Sequence, residues 1–435
     1  MRVLWFANTP CEASEYLTGQ KVKSGGWLYA LCEQLKAQAG VELHVAFIWG
    51  KALKAFAYKG VIYHPVLRVG AETVWGRYVN RLKGQFSNAN DKRELEQCKQ
   101  IVHIVDPDII HIHGSEETFG LIAQEKDIKV PVVLSIQGLL SAYKEKYYSG
   151  VTRKNLEDGE SLFKRLLQDG INGRYRNFSR RAKREETIFK SLRYVIGRTQ
   201  WDRRCALVLN PHIRYFTVNE ILRSEFMNAT WQKRASGQPF VIVSTISSGI
   251  YKGLEVVYQT AKLLSDLNFL FVWKIIGITN HDEIVGIVEK SRALHASAIH
   301  VELLGSCQAN EMISIMKQSD LYVQVSHIEN SPNSLCEAMV MGMPIIASYA
   351  GGTSSMLENG REGILIQDGN QYELAGAIME IVQYYDDAVE MGKSARERAL
   401  RRHEPCKVLG ELMDVYNTIT SIDFTEVKCS ENVNR

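Results

Sequence analysis

Two glutamates, Glu329 and Glu337, frame the stretch Ser326-His327-Ile328-Glu329-Asn330-Ser331-Pro332-Asn333-Ser334-Leu335-Cys336-Glu337-Ala338-Met339, which follows an apolar run. Ser331 suits the N-cap and Pro332 the first position of a helix that Gly342 and Pro344 would stop. A helix start offers unpaired N–H groups, so the amides of Asn333, Ser334 and Leu335 could hold a phosphate. Helical side chains lean toward the N-terminus, which would aim the Glu337 carboxylate at the same place, where it can accept hydrogen bonds from pentose hydroxyls. Glu329, on the loop before the cap, would face the other side of that ligand. The same letters also describe a surface helix with two unrelated glutamates.

Three more segments carry residues of the right kind. Ser247-Ser248-Gly249-Ile250-Tyr251-Lys252-Gly253 is a small-residue loop in which Gly249 lets backbone approach a ligand and Lys252 supplies a compact cation for a diphosphate. Lys23-Ser24-Gly25-Gly26-Trp27 puts the pair Gly25 and Gly26 at a helix start, another backbone cradle. His113 and Arg198 each end a short apolar run, Ile110-His111-Ile112-His113 and Ile196-Gly197-Arg198. Taken singly, these also read as a solvated lysine, an ordinary strand-to-helix loop, a satisfied histidine and a surface arginine. Asp106-Pro107-Asp108 reads as the entry turn of a strand and not as a metal motif, so neither a metal nor a cofactor is expected.

Positioning these residues requires a scaffold. Short Val- and Ile-rich runs alternate with helical stretches, the signature of a parallel sheet covered on both faces. Strands are expected at 3–7, 43–48, 109–112, 132–136 and 194–196, and again at 240–244, 269–276, 300–303, 321–325, 344–347 and 364–366. The 435 residues exceed one ordinary core. Two α/β, doubly wound, Rossmann-like domains follow, residues 1–228 and 236–400, joined by the polar stretch Asn228 to Pro239. A last helix, 401–420, either completes the second domain or crosses back to the first, and 421–435 is a polar tail. Two such domains place their strand ends face to face across a cleft, where ligands bind.

The bulk numbers exclude other classes. A formal charge of +3 gives no ground for a nucleic-acid partner. From Arg174 to Arg193 there are eight basic and two acidic residues, which suits either a solvated helix with Ile188, Phe189 and Leu192 turned inward or contact with anionic lipid. Eight scattered cysteines show no close pair, as expected of free thiols in a reducing cytoplasm. No apolar run reaches the roughly 20 residues that span a bilayer.

Together, Gly25-Gly26, His113, Lys252-Gly253 and the E-x7-E pair Glu329 and Glu337 resemble the retaining GT-B enzymes of glycosyltransferase family 4, over nearly the whole chain. The resemblance implies a nucleotide-sugar donor held mainly by the second domain, with Lys252 on the diphosphate and Glu337 on the ribose. Glu329 and the Asn333 to Leu335 amides would then lie near the transferred sugar, Gly25 and Gly26 would close on the phosphates, and His113 would reach the donor sugar. It also implies retention of configuration, no metal, Glu329 as a catalytic or positioning carboxylate, and a saccharide or lipid-linked acceptor in polysaccharide or glycoconjugate assembly. A sugar-nucleotide epimerase and a non-catalytic nucleotide-sugar-binding protein are the alternatives. The sequence departs from the family where an arginine usually precedes the Lys-Gly pair, since Ile246 and Ser247 stand there, and Arg198 or Arg203 is the expected substitute. The glutamate usual after Gly351-Gly352 is also missing, with Ser355 near its place.

Overall fold

A computed structural model describes residues 1–19, 26–68, 89–152, 171–235 and 239–433. Among them are two sheets. The first contains β1 (Arg2–Ala7), β2 (Glu42–Trp49), β3 (Phe56–Tyr58), β4 (Val61–Leu67), β5 (Ile109–His113), β6 (Val132–Ser135), β7 (Tyr194–Gly197) and β8 (Arg214–Thr217). Its order is β3-β4-β2-β1-β5-β6-β7-β8. Only β3 pairs antiparallel to its neighbour. The second contains β9 (Phe240–Thr245), β10 (Phe271–Ile276), β11 (Val301–Gly305), β12 (Leu321–Gln324), β13 (Ile345–Ser348) and β14 (Ile364–Ile366), in the order β11-β10-β9-β12-β13-β14, all parallel.

The central strands are apolar on both faces because helices cover both. Every residue of β5, β12 and β13 is buried. Such strands read as continuous runs, which is why sequence places them within a residue or two. It misses β4, whose His64 and Pro65 interrupt the run, and β3 and β8, short pieces at the two edges.

The chain passes between the domains earlier than its polar stretch suggests. Val218 and Ile221 pack in the first core, whereas Leu222, Phe226, Ala229 and Trp231 pack in the second. Trp231 is pinned there, its Nε1 donating to the Ser319 carbonyl at 2.7 Å. The second passage is the final helix, Pro405–Val433. Val408, Leu412, Val415, Tyr416 and Ile419 lie in the first core. The Tyr416 hydroxyl accepts from Trp5 Nε1 at 3.0 Å and lies 2.6 Å from His111 Nδ1.

Helix Ile171–Ser191 buries Ile188 and Phe189, with Leu192 just beyond its end. Several of its cations serve the chain itself. Arg181 and Arg184 donate to the Glu116 carbonyl, and Arg174 pairs with Glu283 of the second domain. Among the described residues, no helix is long and apolar enough to cross a membrane. Residues 69–88 and 153–170 lie outside the described residues, as does Gly25.

Candidate active site

The C-terminal ends of β9 and β12 carry the two loops singled out by sequence. After β9, Ile250–Lys252 form one turn of 3-10 helix and Gly253 takes φ +79°, opening helix Leu254–Asp266. A Cβ on Gly253 would stand 2.2 Å from the Val325 carbonyl oxygen, so the Lys-Gly glycine is the one the loop cannot replace. Gly249 instead has an ordinary φ of −78° and lies against the Lys252 and Tyr251 side chains. After β12, the loop is held to the first by His327 N–H, which donates to the Tyr251 carbonyl at 2.8 Å.

These loops bring Lys252 and Glu329 together as a direct ion pair. Burial alone would depress the Lys252 ammonium, but the Glu329 carboxylate outweighs it and leaves the amine above its ordinary range. Glu329 is backed by the glycine pair: Gly352 N–H donates to its carbonyl at 2.8 Å, and a Cβ on Gly351 would come within 2.0 Å of the same oxygen.

The helix following Glu329 runs from Asn333 to Met341 and begins one residue later than the letters suggest. Pro332 occupies the cap, because the Ser331 hydroxyl turns away to donate to Glu220. Asn333 and Ser334 hold the first two helical positions, where amides have no intrahelical acceptor. The Leu335 amide is drawn back to the Pro332 carbonyl at 3.1 Å, so it is a poorer phosphate donor than expected. Every residue from Leu335 to Met341 is buried, which removes the reading of a surface helix.

Glu337 does not stand open. Both its oxygens accept from Arg223, at 2.8 Å each, in a two-pronged pair. Burial lifts the Glu337 carboxyl above its ordinary range, and Arg223 offsets this only in part. Arg223 lies on the first passage between domains, and its stem packs on Gly26: a Cβ there would come within 2.8 Å of Arg223 Cδ. Gly26 thus receives this arginine at the start of helix Gly26–Lys36. Sequence reasoning missed Arg223, whose neighbours carry no pattern.

Arg198, the expected substitute, is committed elsewhere. It is buried, its Nε lies 3.4 Å from Glu220 Oε2, and its guanidinium covers the Trp27 ring at 4.4 Å. Arg203 is exposed on helix Gln200–Leu209. Arg223 is the cation that geometry puts beside the site.

From the first domain, His113 ends β5, fully buried against Trp5 at a ring distance of 4.4 Å. Among the described residues neither ring nitrogen has a hydrogen-bond partner, which contradicts the reading of a satisfied histidine. Burial, His111 and Arg198 hold its pKa well below the usual value, so the ring is neutral near pH 7. Glu116, three residues on, is a carboxyl that sequence reading passed over; burial raises it to about 7. Asp106 and Asp108 precede β5, and Asp108 accepts from Arg2 N–H at 2.6 Å, away from the C-terminal strand ends.

The domains meet closely here. Thr199 donates to Asn330 Oδ1 at 2.8 Å, Asn330 Nδ2 donates to the Gln137 carbonyl at 3.2 Å, and Tyr143 packs edge-on to Tyr251. His327 bridges Glu255 and Asp368, and Asp368 also pairs with Lys146 of the first domain at 3.0 Å. A cavity of about 520 Å³ lined by Trp231, Gly342 and Asp386 adjoins the other end of the Asn333 helix and belongs to no part of this constellation.

Residues 228–398 match the family model described as Glycosyl transferases group 1. The trehalose synthase of Pyrococcus horikoshii is 23% identical over 261 residues, 57% of this chain and 61% of that protein. The amylovoran biosynthesis glycosyltransferase AmsK of Erwinia amylovora is 24% identical over 186 residues, 41% of this chain and 45% of its own. The chain thus spans less than two thirds of these relatives' lengths. Among solved structures, sucrose-phosphate synthase from Thermosynechococcus elongatus superimposes over 97% of this chain and 99% of its own, with TM-score 0.70 at 12% identity. Anabaena HepE in complex with UDP-glucose covers 96% and 100%, with TM-score 0.62 at 15% identity. Both likenesses establish the two-domain GT-B fold. Residues 228–398 of the second domain therefore match the model of glycosyl transferases group 1, in a chain of GT-B architecture.

Proposed function

We propose that the chain transfers a sugar from a nucleotide-sugar donor to a saccharide or lipid-linked acceptor, with retention of configuration and no metal at the diphosphate, in polysaccharide or glycoconjugate assembly. The observation that carries this reading is the convergence of Lys252, Glu329, the first amides of the Asn333 helix and Glu337 at the strand ends of one domain, with His113, whose ring nitrogens have no partner among the described residues, at a strand end of the other.

Departure of a nucleoside diphosphate requires its growing charge to be met by fixed dipoles and cations. A diphosphate at the helix start would draw Lys252 from Glu329 and take the Asn333 and Ser334 amides, exchanging one set of charge-assisted bonds for another. Arg223, paired with Glu337, is the cation we assign to the role of the missing family arginine. Glu329, once released from Lys252, is placed to orient the sugar, and the neutral His113 can bond its hydroxyls through either nitrogen. AmsK is named for amylovoran biosynthesis and HepE was solved with UDP-glucose, which supports a donor of this class.

A thermal-shift screen across nucleotide sugars tests the reading, since a ligand at 100 times its dissociation constant stabilises by about 2.7 kcal/mol. Analysis of products with the best donor, with and without saccharide acceptors, then separates transfer from epimerisation. A screen in which no nucleotide sugar raises the melting temperature would end the proposal.

A further inference from the structure

Beneath the donor-side helix, the chain buries a glutamate, a cysteine and a histidine around one point. Glu220 lies on the first passage between domains, Cys336 in the Asn333–Met341 helix, and His403 between the helices Tyr385–Arg402 and Pro405–Val433, where the chain turns back. They are 1%, 0% and 0% exposed. One ligand atom from each lies within 4.8 Å of the others.

The histidine gives the cluster its direction. His403 Nδ1 is 2.8 Å from the Glu220 backbone carbonyl, which can only accept, so the ring proton sits on Nδ1. Nε2 then carries a lone pair, is buried, and has no hydrogen-bond partner among the described residues. An imidazole oriented through one nitrogen by a backbone carbonyl, with the other left bare, is the arrangement of a metal ligand. Cys336 Sγ stands 3.5 Å from Glu220 Oε1, and Met356 Sδ stands 3.7 Å from that sulfur.

We propose that Cys336 Sγ, His403 Nε2 and a Glu220 carboxylate oxygen bind a zinc ion that fastens both passages between the domains to the helix carrying the donor-site amides. The mixed sulfur, nitrogen and oxygen set suits this borderline ion. Binding converts the Cys336 thiol to thiolate and releases its proton to solvent, so thiolate and carboxylate bring two negative charges to the dication. Arg198, 3.4 Å from Glu220 Oε2, is positioned to keep one oxygen while the metal takes the other. The site does not depend on the donor reading, and no motif announces it, since Glu220 and Cys336 are separated by 116 positions.

The test uses the full chain stripped with a chelator. Titration with Zn(II) against a chromophoric competitor is expected to show one tight equivalent and release of about one proton, as thiol ligation requires. Co(II) in its place should give a thiolate-to-cobalt charge-transfer band. Cys336→Ser and His403→Gln should each abolish the band and the zinc-dependent rise in melting temperature, whereas Cys11→Ser, in the first core, should keep both. Absence of binding and of the band in the parent overturns the proposal whether or not the variants fold. Unchanged zinc uptake in folded His403→Gln overturns it equally.

Discussion

At Glu337, a ligand hydroxyl can bind only by sharing or displacing the guanidinium of Arg223, which already occupies both carboxylate oxygens. Removing one partner of a buried pair leaves the other charge uncompensated, a cost of about 3–5 kcal/mol. Arg223→Ala should therefore lower the melting temperature and weaken nucleotide-sugar binding together. Arg223→Lys, which keeps charge without the fork, should recover only part of each. Calorimetric titration beside a melting curve reads both, and an alanine variant that binds donor like the parent would discard Arg223 as a donor-site residue. Lys252, Glu329 and Glu337 were legible because a glycine, a proline and a cap fix their spacing locally. Arg223 was not, since its partner lies 114 positions away and nothing in Leu222-Arg223-Ser224 records it.

The elements were read from burial pattern, and they succeed or fail with it. Strands buried on both faces, such as β5 and β12, leave uninterrupted apolar runs, whereas β8 at a sheet edge leaves none. The Asn333 helix shows the finer limit: its end at Gly342 follows from a local φ of +84°, but its start is set by Ser331 bonding to Glu220 on the first passage between the domains. The loop between β9 and the following helix yields a direct test. Gly253→Ala would force a side chain at φ +79° into the Val325 carbonyl, costing about 1–3 kcal/mol from the backbone conformation alone. Gly249→Ala, with an ordinary φ and neighbours at 3.3 Å, should cost markedly less. Urea midpoints of the two variants give the comparison, and equal losses would contradict the assignment of the essential glycine.

For the whole molecule, two domains and a cleft were readable, but the place of passage was not, because Trp231 docks the polar stretch onto the second core. What holds the domains is partly ionic. Burial opposes charging of His327, yet Asp368 and Glu255 raise its pKa to about 9. A histidine raised above its unfolded value of about 6.5 stabilises fully below that pH and loses its contribution as pH rises through about 9. Stability measured in urea should thus fall between pH 7 and 9.5 more steeply for the parent than for His327→Gln. Parallel profiles would show that the imidazolium bridge does not tie Glu255, Asp368 and Lys146 together.

The pairing of Lys252 with Glu329, and of Arg223 with Glu337, means that the crevice cancels much of its own field before any substrate arrives. Beyond a Debye length of about 8 Å at physiological ionic strength, little potential remains to draw in an anion. Capture then depends on partner exchange at contact, so bimolecular association rates for the donor should vary little with added salt, and discrimination among anions should reside in how slowly the right one leaves. Stopped-flow measurements from dilute to physiological buffer would show this, and a steep decline in the association rate would mean that the empty crevice is far more positive than its paired charges imply.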